Sequence, residues 1–176
     1  LKNMPSGWLS ITTHRLDIYK EELAKTEFLE QFQALFNHNN SSAEALEALP
    51  TAYDYIRLGH PLSCVLEWAI AGLNQLKPDN VISFSSETMP ILAVLRKNLL
   101  DNKNTQIVYT GALPASFDAE VLKAVYGYKF ELKQLANLAD VPDFAGSTIY
   151  MEQANAITST AVPKNIDFFI STYKGL

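Results

Sequence analysis

From residue 81 onward, short apolar runs of strand length alternate with stretches whose apolar residues return at helical spacing. The runs cover 81–84, 106–109, 129–132, 148–152 and 167–172, and short polar turns separate the segments. Helical spacing covers 90–100 and 117–126, with a further stretch near 135–139. Strands joined through segments of this length cannot pair as tight hairpins. They pair side by side in parallel, and a parallel sheet has to be covered by other elements. The pattern predicts an α/β domain with a mainly parallel sheet flanked by helices.

Residues 1–50 form a different segment. Leu23, Phe28, Phe32, Leu35 and Phe36 predict an amphipathic helix over 17–37, with Asp17, Glu21 and Glu22 in its first turn, where the helix dipole favours acids. A polar breaker follows at 37–42, and a short helix over 43–49 is stopped by Pro50. A third helix is expected over 63–76, from Val65, Leu66, Ala69, Ile70 and Leu73. The organisation expected is an N-terminal helical segment, 1–50, and an α/β domain, 51–176. That domain reads as incomplete, because the chain begins at Leu1 and stops two residues after Lys174, just beyond an apolar run.

Composition narrows the function classes. A net charge of −5 with no basic block argues against a nucleic-acid or anionic-membrane surface. No apolar run approaches the roughly 18 residues of a membrane span, and the N-terminus lacks the pattern of a signal peptide. Cys64 is the single cysteine, so no internal disulfide forms, and a cytoplasmic location is expected.

Two places carry candidate chemistry. Ser85, Ser86, Glu87 and Thr88 lie between an expected strand and a helix, where backbone N–H groups and a helix N-terminus cradle an anion. The same residues also read as an ordinary helix cap. Tyr55 and Arg57, two apart in an extended segment, lie on one side and reach a common phosphate, to which arginine offers paired hydrogen bonds.

Tyr55, Arg57, Gly59, Pro61, Leu66 and Glu67 together make the pattern Y-x-R-x-G-x-P-x(4)-L-E. It resembles the signature of the cystathionine γ-synthase-like family, the pyridoxal-phosphate (PLP) enzymes of cysteine and methionine metabolism, fold type I. The resemblance implies a sheet like the large domain of those transferases. It also implies a lyase or transferase that carries out elimination or replacement at the β- or γ-carbon of a sulfur-containing amino acid. Lys174 would be the Schiff-base lysine and Glu152 the partner of the ring nitrogen. The phosphate would be held by Ser86, Glu87, Thr88 and Ser171, with Tyr55 and Arg57 reaching from a neighbouring subunit of a homodimer or homotetramer. No metal is implied.

The chain departs from the family pattern at His60, where asparagine is usual, at Glu152, where aspartate is, and in four further places. Glu87 stands where glycine is usual, Thr88 where methionine is, and Tyr173 where the family has threonine beside its lysine. The aromatic stacker would fall near Leu113 and Pro114, and proline occupies that place. Two alternatives remain open. One is a degenerate relative acting as a scaffold. The other is a sugar-phosphate-binding domain of the sugar-isomerase type, whose S-x-S-G-E-T loop the run Ser83, Phe84, Ser85, Ser86, Glu87, Thr88 resembles.

Overall fold

The computed structural model describes residues 2–9, 21–50 and 60–173. The chain divides into two compact units, one running to Ser83 and one beginning at Phe84.

The first unit is helical. A 3-10 turn, Ser6–Leu9, is followed by α1 (Glu21–Asn37), α2 (Ala43–Glu47), α3 (Pro61–Leu73) and a second 3-10 turn, Pro78–Asn80. Ser42 caps α2, its Oγ accepting from the Ala45 N–H at 3.3 Å. His60 caps α3: its Nδ1 accepts from the Leu62 N–H at 3.1 Å, which leaves Nε2–H to donate to the Trp8 carbonyl at 2.7 Å. Pro61 follows at the first turn, where its missing N–H had no helical partner. Phe28, Leu29 and Cys64 are buried at the centre, with Trp8, Leu49, Val65 and Trp68 packed around them. Trp68 meets Phe32 and Phe36 at 5.2 and 5.1 Å between ring centroids, and its indole N–H donates to Gln33.

Glu67 is buried on α3 and is fully engaged. Its Oε2 accepts from Lys25 Nζ of α1 at 2.8 Å, and its Oε1 accepts from the Ser83 N–H and hydroxyl at 2.8 and 2.9 Å. That geometry corrects one expectation. Residues 81–84 form no strand among the described residues. The Ser83 N–H that a ladder would use is taken by a carboxylate, and Ile82 is 69% exposed.

The second unit holds α4 (Met89–Leu100), β1 (Thr105–Tyr109), α5 (Ala119–Ala124), β2 (Phe130–Gln134), β3 (Ser147–Ala154) and β4 (Phe168–Tyr173). The four strands make one sheet, ordered β2-β1-β3-β4, with every pairing parallel. The α/β class and the parallel sheet expected from the alternation are both present. The helix expected near 135–139 is only a 3-10 turn, Leu138–Asp140. Val141 precedes Pro142 and is held extended, as a residue before proline prefers, so no helix can continue there.

Alternation along the strands gives the sheet two faces. Ile107, Ile149, Met151 and Ile170 pack under Ile91 and Leu95 of α4 and Leu122 of α5. On the other face Val108 and Tyr150 pack with Val141 and Ile166, which come from the connections into β3 and β4. Gly146, the residue before β3, lies so close to the residue before β1 that a Cβ there would collide with the Asn104 carbonyl oxygen and the Phe144 ring.

Candidate functional site

In an open parallel sheet, ligands bind outside the carboxyl ends of the strands, at the point where the strand order reverses. Here that point lies between β1, which neighbours β2 on one side, and β3 on the other. The chain leaves β1 toward α5, on the face that α5 covers. After β3 it returns through Ile166, which packs against the opposite face.

On the face away from α4, one row of polar side chains crosses this carboxyl edge. Glu152 of β3 lies opposite Ser171 of β4 in the register, and the Ser171 hydroxyl donates to Glu152 Oε1 at 2.9 Å. From the opposite face, which it shares with Ile170, the Thr172 hydroxyl donates to the Glu152 carbonyl oxygen at 3.2 Å. Thr110, one residue beyond β1, lies on the same face as Glu152, its Oγ1 3.0 Å from the hydroxyl of buried Tyr150. The Thr110 N–H donates to the Met151 carbonyl, which extends the pairing of β1 with β3 by one residue. The row therefore presents a half-buried carboxylate flanked by hydroxyls, a group suited to a cationic N–H donor.

The other candidate element lies across the sheet. Ser85, Ser86, Glu87 and Thr88 lead into α4, which packs on the opposite face. Ser86 Oγ accepts from the Thr88 and Met89 N–H groups, each at 3.3 Å, and sits 3.3 Å from Thr88 Oγ1. Thr88 is the N-cap residue and makes no capping bond with its side chain, so Ser86, two residues earlier, ties the turn to the start of the helix through long contacts. Glu87 is exposed, so its charge is turned to solvent and not into the turn.

The structure thus brings Glu152 and Ser171 into direct contact, and keeps Ser86, Glu87 and Thr88 together at the start of α4. Ser171 lies with Glu152 on one face, and the Ser86 turn leads into the helix on the other. Tyr55, Arg57 and Lys174 lie outside the described residues. Leu113 packs at the margin of the core under α4, and Pro114 accepts from the Phe117 N–H in a turn. Tyr109, at the end of β1, packs against the same core.

The sequence reading missed Thr110 and Tyr150. Their signal was the alternation itself, because Tyr150 and Glu152 are two apart in one strand and share a face. Among the described residues, no group of three or more His, Cys, Asp or Glu side chains is placed to hold a metal ion. No described helix is long and apolar enough to cross a membrane.

The second unit is an α/β domain with an all-parallel, four-stranded sheet and a polar row at its carboxyl edge. Comparison with protein-family models, with curated proteins and with solved structures found no match to the chain.

Proposed function

We propose that the chain is a PLP-binding domain of a lyase or transferase acting on a sulfur-containing amino acid. The observation that carries this reading is Glu152, a carboxylate fixed at the carboxyl edge of a parallel sheet, beside the reversal in strand order. A pyridinium N–H is the kind of donor such a carboxylate fits, and an ionised partner keeps the ring electron-withdrawing. The fit at the phosphate is partial. The turn before α4 directs Glu87 to solvent, but its Thr88 and Met89 N–H groups donate to Ser86 Oγ, and Ser171 is committed to Glu152.

When bound, PLP supplies an electron sink for charge that develops at the substrate α-carbon. The chain's own contributions are narrower. Glu152 would hold a proton on the ring nitrogen, the α4 N-terminus would receive the phosphate, and Lys174 would take and return the α-proton. Tyr55 and Arg57 would complete the phosphate site from a second subunit, which makes the active form a homodimer or homotetramer.

The test is an absorbance spectrum of the protein with added PLP, repeated with Lys174→Ala. A band near the visible–ultraviolet boundary that is lost in the variant supports the reading. No band in either protein overturns it. One observation favours a second reading: the Ser86 and Thr88 hydroxyls lie 3.3 Å apart at the start of a helix, as a sugar-phosphate loop would present them. Saturable binding of a hexose phosphate, blocked by Ser86→Ala, with no chromophore formed by PLP, would establish that alternative.

A further inference from the structure

The contacts of residues 171 and 172 assign a different task to this part of β4 from the one the family resemblance implies. Ser171 grips the Glu152 side chain and Thr172 grips its backbone carbonyl, so two consecutive residues of one strand fix a single residue of the next. The parallel register makes the grip specific, since Glu152 lies directly opposite Ser171 and Gln153 opposite Thr172.

A hydroxyl has one proton to donate, and Ser171 gives it to Glu152 Oε1. In pyridoxal compounds the phosphate arm leaves the ring at a carbon that is not adjacent to the ring nitrogen. A hydroxyl 2.9 Å from the carboxylate that faces the nitrogen therefore cannot also donate to the phosphate.

We infer that Ser171 is a positioning residue for Glu152 and not a phosphate ligand, with Thr172 fixing the strand beneath it. The inference rests on the PLP reading above. With one lone pair of Oε1 engaged, the carboxylate is held in a single orientation, and its remaining oxygen is presented to a cationic ring N–H. Without the hydroxyl the glutamate has a free terminal torsion, and part of its binding energy goes into ordering it.

Two probes separate the roles. Pyridoxine 5′-phosphate and pyridoxine carry the same ring, with and without phosphate. Neither has an aldehyde, so neither reacts with lysine. Their dissociation constants would be measured by equilibrium dialysis against the full chain and against Ser171→Ala, Ser171→Thr and Glu152→Gln, each variant first shown to keep the wild-type circular dichroism. The expected result is that Ser171→Ala weakens both probes by the same factor, about tenfold, the value of one charge-assisted hydrogen bond. Ser171→Thr restores both, and Ser171→Ala adds nothing once Glu152→Gln is present.

Loss of pyridoxine 5′-phosphate affinity with pyridoxine unaffected would make Ser171 a phosphate ligand and overturn the inference alone. No change in either constant would overturn it equally. A wild-type protein that binds neither probe overturns the inference together with the PLP reading.

Discussion

Glu67 shows how a residue singled out by a sequence signature can be doing structural work. It is the one charged residue on α3, and burying it is tolerable only because three donors surround it. Glu67→Ala removes the buried ion pair with Lys25 and both hydrogen bonds that anchor Ser83, and opens a void on α3. The expected loss is about 3 kcal/mol of stability in the first unit. Both tryptophans of the chain, Trp8 and Trp68, lie in that unit, so urea denaturation followed by their fluorescence is the appropriate measurement. An unchanged midpoint would show that the network contributes nothing.

Among elements, α4 illustrates which parts of the structure the sequence made legible. Its span was readable because Ile91 and Leu95 repeat at helical spacing and Pro90 marks the first turn. The exposed C-terminal turn carries a further, testable feature. Lys97 Nζ donates to Asp101 Oδ2 at 2.7 Å, and this hydrogen bond, aided by the lysine charge, holds the Asp101 carboxyl below its ordinary value. A depressed folded-state pKa means that the contribution is present above the unfolded pKa and is lost as pH falls through the folded one. Asp101 should therefore titrate lower than a free aspartate in an NMR pH series. Lys97→Ala should move it up toward the ordinary value while lowering the thermal midpoint only slightly, since the pair is solvent-exposed. A titration that does not move would remove Lys97 as the cause.

The strands were legible for a similar reason, and their ends were not. Runs expected at 106–109 and 148–152 match β1 and β3 to within two residues at each end, because buried β-branched residues crowd their centres. Residues 81–84 have the same apolar character and join no ladder among the described residues, because the group that takes the Ser83 N–H is a side chain 16 residues earlier. No local pattern reveals a long-range acceptor. The contact between Glu152 and Ser171 was hidden in the same way, since it depends on the register of two strands 19 residues apart.

At the scale of the whole molecule, the two units differ in how far apart in sequence the backbone hydrogen bonds of their regular elements lie. The first is built from helices, whose hydrogen bonds are local. In the second, every ladder is parallel, and the central pairing of β1 with β3 joins residues 42 apart, as Gln106 and Thr148 show. Closing such loops costs entropy before any contact offsets it, which slows folding. Refolding should therefore be biphasic. Tryptophan fluorescence, which reports the first unit, should recover before amide protection appears at Ile107 and Ile149 in the centre of the sheet. Simultaneous recovery of the two signals would show that the units fold as one.

The strand order also bears on how the sheet can be made on the ribosome. β1 emerges first, β2 can join one of its sides, β3 the other, and β4 then joins β3. Each new strand meets a ladder edge that is already exposed, and none has to be inserted between two strands that have already paired. The sheet can therefore grow outward in the order of translation, with no step that requires an earlier pairing to open.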